Sequence, residues 1–173
     1  MGKGHYPLEM RKSLIFPPDI MISDMEEGDL EEVMAIERST FPEPWSENMF
    51  RQELHFPMSR HLTARVAGQG IVGYITFWIM AGEVHIHNIA VKNGRQRMGV
   101  ASALMREMIR RARKEGALHA TLEVRPSNER AARLYERFGF EVRGRRPLYY
   151  ADTKEDALIM WAELGENREN DGK

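Results

Sequence analysis

No cysteine occurs in the 173-residue chain, which removes disulfides, thiolate metal ligands and a cysteine nucleophile from any chemistry it performs. A reducing cytoplasm is compatible with that absence. No stretch approaches the ~20 apolar residues needed to cross a bilayer, and the first residues hold no apolar run of signal-peptide length. Neither sign of charge dominates: 25 Lys and Arg against 26 Asp and Glu leave −1, so no whole-molecule field draws the chain to nucleic acid or an anionic membrane. A charged ligand must then be met by a local patch. Internal repeats and low-complexity segments are absent as well. The chain reads as soluble and cytoplasmic, long enough for one sizeable core and too short for two ordinary domains.

Against that background the stretch from Glu83 to Ala112 stands out. It begins as an apolar, β-branched strand and passes through a polar, glycine-bearing loop over residues 92–98. It continues as a helix whose apolar stripe is Val100, Ala101, Leu104, Met105, Met108, Ile109 and Ala112, the spacing of one helical face. The first turn of such a helix leaves N–H groups unpaired at the positive end of the helix dipole, where anions bind. Gly99 lets a bulky group approach the backbone, Ala101 and Ser102 are small, and Arg95 and Arg97 add positive charge. A pyrophosphate suits this junction, although Gly94 and Gly99 would equally serve a plain turn. The loop is neither a Walker loop, since no Gly-Lys-Ser/Thr follows, nor the three-glycine dinucleotide fingerprint.

Around this stretch the elements can be read in order. Residues 1–18 show no sustained period and read as a loosely attached extension. Ile20–Ser23 predicts a strand, and Asp29 with Glu32 predicts a capping-box start for a helix burying Leu30, Val33, Met34 and Phe41. Phe41-Pro42-Glu43-Pro44-Trp45-Ser46 ends that helix, and Ser46 caps a short second one carrying Phe50 and Leu54. Residues 61–67 and 71–80, joined at Gly68-Gln69-Gly70, and a tight turn at Ala81-Gly82 predict a three-strand meander into Glu83. After the central helix, stopped by Gly116, residues 120–125 alternate as a strand, with Leu122 and Val124 on one face and Thr121 and Glu123 on the other. Pro126-Ser127 then caps a helix with Ala131, Leu134, Tyr135 and Phe138 apolar and Gly139 at its end. Residues 140–150 and 157–164 predict a closing pair of strands, and 165–173 a polar tail. The order gives an α/β fold: a mixed central sheet flanked by helices, in a single domain over residues 19–164.

Several motifs carry a family resemblance. Gln96-Arg97-Met98-Gly99-Val100-Ala101 resembles the Gln/Arg-x-x-Gly-x-Gly/Ala signature of the Gcn5-related N-acetyltransferases (GNAT), which hold the pyrophosphate of acetyl-coenzyme A at such a turn. Ala101 stands where Gly is commoner. Leu122-Glu123-Val124-Arg125-Pro126-Ser127-Asn128, followed by Leu134-Tyr135-Glu136-Arg137-Phe138-Gly139-Phe140, is similar to the signature of the RimI-type ribosomal-protein-alanine acetyltransferases, including the twelve-residue step from Glu123 to Tyr135. Pro44-Trp45-Ser46 is similar to a segment that helps wall the peptide groove in that family.

The resemblance spans residues 20–164 and implies the GNAT fold, acetyl-coenzyme A as cosubstrate and no metal. Matched residue by residue, it implies that Ile89, Ala90 and Val91 offer backbone groups to the pantetheine arm. Arg97, Met98, Gly99, Val100, Ala101 and Ser102 would hold the pyrophosphate. Asn128 would lie near the pantetheine, though Ser127-Asn128 would equally make a helix cap.

Acetyl transfer to an amine needs a base for the amine's proton and an acid for the departing thiolate. The resemblance implies Glu123 as the base, directly or through water, and Tyr135 as the acid. As purely structural residues, Glu123 would be an ion-pair partner for an arginine and Tyr135 part of its helix's apolar stripe. The resemblance further implies Trp45, Tyr149 and Tyr150 beside the acceptor peptide, and His85 facing the same groove, where it could assist proton removal. Glu83, His85 and His87 share a strand face and could in principle bind a metal, but the groove is the preferred reading. Arg143, Arg145 and Arg146 read as a solvated edge.

An N-terminal amine, with pKa near ~8, is partly neutral at pH ~7.5, whereas a lysine near ~10.4 demands roughly 4 kcal/mol for deprotonation. A single carboxylate base therefore has the easier task with an α-amine. The expectation is an acetyltransferase acting on a protein N-terminal α-amine, a ribosomal alanine in the family it resembles, by direct attack in a ternary complex. No nucleic-acid or membrane partner is expected. A small-amine or lysine acetyltransferase, and a non-catalytic acyl-coenzyme A sensor, stay open as alternatives.

Overall fold

The alternating apolar runs and the two amphipathic stripes assemble around one mixed sheet. A computed structural model describes residues 14–16 and 19–165; the rest of the 1–18 extension and the polar tail beyond Gly165 lie outside the described residues. The strands are β1 (Leu14–Phe16), β2 (Ile20–Asp24), β3 (Ser59–Val66), β4 (Gly70–Met80), β5 (Glu83–Val91), β6 (His119–Val124), β7 (Glu141–Arg146) and β8 (Ala157–Glu163). The helices are α1 (Leu30–Thr40), α2 (Glu47–His55), α3 (Val100–Lys114) and α4 (Glu129–Arg137). The sheet order is β1-β2-β3-β4-β5-β6-β8-β7. Its pairs are antiparallel except β5 with β6, which run parallel with α3 as their crossover. No helix among the described residues is long and apolar enough to cross a membrane.

Helices α3 and α4 cover one face of the sheet. Leu104, Met105 and Met108 of α3 are fully buried there with Leu62, Val72 and Phe77, each contributing roughly 1.5–3 kcal/mol by leaving water. Gly73 on β4 makes the close approach possible: a Cβ there would lie 2.8 Å from Val100 Cγ1 and 2.9 Å from the Ala90 carbonyl oxygen. On the opposite face α1 and α2 bury Leu30, Val33, Met34 and Phe50 against Ile71, Tyr74 and Ala90. They leave the β6–β8 half of that face half-covered, so that Thr121, Glu123 and Trp161 there are only partly buried.

Three local expectations are corrected. Asp29 does not cap α1 in a box with Glu32: the box closes between Glu26 and Asp29 around a 3-10 turn over Glu27–Asp29. The carboxylates of Asp29 and Glu32 turn instead to Arg65 and to the Ile71 N–H, because neighbouring strands offer donors that a local pattern does not reveal. Asn128 caps α4, accepting from Ala131 N at 3.2 Å, so of the two cap readings the one that included Asn128 holds and Pro126-Ser127 does not. β7 stops at Arg146 because Pro147 has no N–H for the ladder and Leu148 adopts φ +52°. Tyr149 and Tyr150 therefore lie in the β7–β8 loop rather than in a strand. Ser46 caps α2 as expected, taking the Met49 N–H at 3.2 Å.

Candidate active site

The site begins with a sheet that stops pairing. β6 follows β5 only from Glu83↔His119 to Ile86↔Leu122, and past Ile86 no described strand pairs with β5 on that side. A bulge lies at the same point, since Thr76 pairs with Asn88 and Phe77 with Ile86, leaving His87 as the extra residue. An added residue moves alternate side chains to the other face. Val84 and Ile86 accordingly face α3, whereas Ala90 faces α1. The result is a wedge between β5 and β6 with unpaired backbone at Ile89–Val91 on one wall.

A cavity of about 1110 Å³ runs from this wedge past the start of α3 to α4. Ile89, Ala90, Val91, Arg97, Gly99, Val100, Ala101, Ser102 and Asn128 all line it, but Met98 does not; its side chain is exposed, with its sulfur 3.9 Å from Arg95 Nη1. Arg97 and Gly99 take positive φ of +65° and +81°, curling the loop beneath the first turn of α3, which no side chain caps. Those N–H groups and the dipole are available to an anion. The cavity also contains positive charge that sequence reading missed. Arg130, Arg133 and Arg137 line it from α4, with Arg95 and Arg97 from the loop. Arg97 and Arg137 have no carboxylate partner among the described residues. The 130, 133, 137 spacing is itself a helical stripe, a signal that was present but hidden behind the apolar stripe of α4.

At the other side of the wedge, just beyond the last residue of β6 that pairs with β5, Glu123 accepts from His85 Nε2 at 2.7 Å and has Arg146 Nη2 at 3.4 Å. The His85 hydrogen bond, opposed by desolvation and assisted by the Arg146 charge, holds the Glu123 carboxyl below its ordinary range. His87 packs edge-on against His85, ring centroids 4.6 Å apart, and against Trp78, also at 4.6 Å. Its Nε2 is buried without a hydrogen-bond partner among the described residues, and burial pushes the imidazole down to about 4. Glu53 on α2 fixes Trp78 by accepting from its indole N–H at 2.7 Å.

Trp45 lies 6.1 Å from the His87 ring. Its loop is anchored by Glu37, which is fully buried and accepts from Trp45 N at 2.8 Å, Asn88 Nδ2 at 3.4 Å and the Tyr74 hydroxyl. Tyr135 is buried on α4 beside Phe140. Burial and the neighbouring Tyr150 raise its phenol above the ordinary value, and no described residue hydrogen-bonds its hydroxyl. Tyr149 and Tyr150 meet edge to face at 5.1 Å. Among the described residues no group of three or more His, Asp or Glu is placed to hold a metal ion. Glu37, Glu53 and Trp78 acquire their importance only through tertiary contacts, and nothing local in the sequence distinguishes them, whereas His87 stands out beside His85 on one strand face.

An unpaired strand edge and an uncapped helix start flank an arginine-lined cavity, with a carboxylate across the wedge. The family model described as Acetyltransferase (GNAT) family matches residues 30–140. The chain belongs to the GNAT family of acetyltransferases, and it is an acyltransferase of the RimI type, as the motifs at residues 96–101 and 122–140 imply. A Bacillus subtilis protein is 35% identical over 146 residues, covering 84% of this chain and 96% of the relative. The Escherichia coli (strain K12) ribosomal protein bS18-alanine N-acetyltransferase is 34% identical over 142 residues, 80% of this chain and 94% of its own length. The crystal structure of the ribosomal-protein-S18-alanine N-acetyltransferase from Escherichia coli matches with a TM-score of 0.78 at 31% identity, over 89% of this chain and 99% of that one.

Proposed function

We propose that the protein acetylates the N-terminal α-amine of a protein in the cytoplasm, a ribosomal protein beginning with alanine as in its named relatives. The observation that carries this reading is the Glu123–His85 pair, standing across the wedge from a cavity suited to a long, anionic cosubstrate. The residues present fit acetyl-coenzyme A: the start of α3 with Arg97 and Gly99 to Ser102 for the pyrophosphate, Ile89–Val91 for the pantetheine amides, Asn128 at the α4 end, and the arginines for the remaining phosphate. When bound, acetyl-coenzyme A supplies the thioester that the amine attacks.

Glu123 takes the amine's proton, directly or through water, while the His85 Nε2–H holds the carboxylate in place. Because the carboxylate accepts from Nε2–H, His85 keeps Nδ1 as its free acceptor position. The pair faces an α-amine already partly neutral near pH 8. Tyr135, kept protonated by burial, is suited to give its phenolic proton to the departing thiolate. Trp45, Tyr149 and Tyr150 are assigned to the acceptor peptide, with His87 packed between Trp45 and Trp78.

The test is acetyl transfer to a panel of short peptides varying in the first residue, beside N-terminally blocked lysine peptides and polyamines. Transfer concentrated on free, alanine-initiated termini supports the reading. Transfer confined to blocked lysine peptides or polyamines overturns it.

A further inference from the structure

The β7–β8 loop, residues 147–156, is held at three points by residues outside its tip. Asp156 closes its base, accepting from Leu148 N at 3.0 Å and Arg145 Nη1 at 3.1 Å. Glu155 takes both Ser127 N at 3.1 Å and Ser127 Oγ at 2.9 Å, which joins the loop to the rim of the cofactor cavity. The third hold is Arg125. Its guanidinium lies 3.8 Å from the Tyr150 ring centroid, donating Nη1 to Thr153 Oγ1 at 2.7 Å and Nη2 to Asp152 Oδ2 at 2.9 Å. One planar group thus stacks on the aromatic ring while its fork spans two neighbouring side chains, a combination that lysine cannot reproduce.

Arg125 follows directly on β6, two positions after Glu123, so it continues the strand that carries the base. The guanidinium against Glu123 belongs to Arg146, and Arg125 is not among the groups that shift the Glu123 carboxyl. Arg125 also does not line the cofactor cavity. Its contacts go to the tyrosine loop.

We propose that Arg125 is a positioning residue for the acceptor: it fastens the Tyr149–Tyr150 wall to the strand end bearing Glu123, so that the peptide and the base share one rigid frame. The inference rests on the reading of this groove as the acceptor site. Its effect falls on acceptor binding and leaves the proton transfer and the cofactor alone.

The experiment compares wild type, Arg125→Ala, Arg125→Lys, Tyr150→Ala and the double variant in steady-state transfer to an alanine-initiated peptide. Calorimetric binding of coenzyme A and amide exchange over residues 148–155 are measured in parallel. Arg125→Ala is expected to raise the peptide KM about ten-fold, with kcat and the coenzyme A Kd within about two-fold of wild type, and to speed exchange in the loop. Arg125→Lys recovers only part of the loss, and the double variant is no worse than Tyr150→Ala, because both changes break one unit. An unchanged peptide KM in Arg125→Ala, or additive losses in the double variant, overturns the inference while wild-type transfer leaves the acceptor site standing. Wild-type protein that acetylates no peptide removes both.

Discussion

His85 Nε2 stands 2.7 Å from Glu123 Oε2, across the parallel β5–β6 pair at the point where the two strands part. The carboxylate is held ionised by that contact and by Arg146, so it is present as a proton acceptor throughout the neutral range. Glu123→Gln keeps the shape of the side chain and removes the acceptor. The expected result is a fall in kcat of about 10²–10⁴-fold with the peptide KM nearly constant, read from initial rates at saturating peptide. A kcat equal to wild type would remove Glu123 from the role of base.

His87 makes stability depend on pH. Burial and then the His85 charge hold its imidazole down to about 4, against the attraction of Glu53 and Glu123, and His61 is lowered by burial in the same direction. Between the ordinary value of ~6.5 and about 4, the unfolded chain binds a proton that the folded one refuses. The stabilisation is therefore complete above ~6.5 and lost as pH falls through this window. Melting temperatures from pH 7 to pH 4 should decline, and His87→Phe should flatten part of the slope. An identical slope in that variant contradicts the assignment.

Glu37 links stability to the acceptor groove. Glu37→Ala leaves the buried Tyr74 hydroxyl and the Trp45 N–H without their acceptor. The expected loss is about 2–4 kcal/mol in urea unfolding, with a raised peptide KM as the Trp45 loop loosens. A loss below about 1 kcal/mol would show that water replaces the carboxylate at little cost.

Gly73 sets the height of α3 above the sheet. In Gly73→Ala the new methyl meets Val100 Cγ1 at 2.8 Å and the Ala90 carbonyl oxygen at 2.9 Å, and the backbone atom cannot rotate away. Overpacking of this kind costs about 1–3 kcal/mol. Because Val100 opens the helix and lines the cavity, coenzyme A affinity should fall together with the urea midpoint. Unchanged affinity would mean that α3 shifts without disturbing its first turn.

Much of this architecture was legible because it is periodic. The meander into Glu83, the α3 stripe and the alternation around Leu122 and Val124 each repeat at the period of the element they form. Leu14–Phe16 was not legible: three residues beside two prolines carry no period, and only pairing with Ile20–Ile22 makes them a strand. The end of β7 was overrun because Val142 and the following arginines read as extended chain, although Pro147 already marked the stop. In the candidate site, Glu123, Tyr135 and the residues at the start of α3 were singled out through motifs. Glu37 escaped because it shares one helix with Glu31 and Glu32, and only its full burial against Trp45, Tyr74 and Asn88 sets it apart from those two exposed residues. Arg125 was visible within a motif but without a role, since its partners come from the loop at residues 150–155.

The most direct measurement of the central claim uses one peptide that offers both amines, an alanine-initiated sequence with a free α-amine and an internal lysine. Incubation with isotope-labelled acetyl-coenzyme A and fragmentation mass spectrometry then locate the label. The account predicts the label on the first residue's nitrogen, with Glu123→Gln slowing its appearance about 10²–10⁴-fold. Label on the lysine side chain, with the α-amine left free, would contradict it.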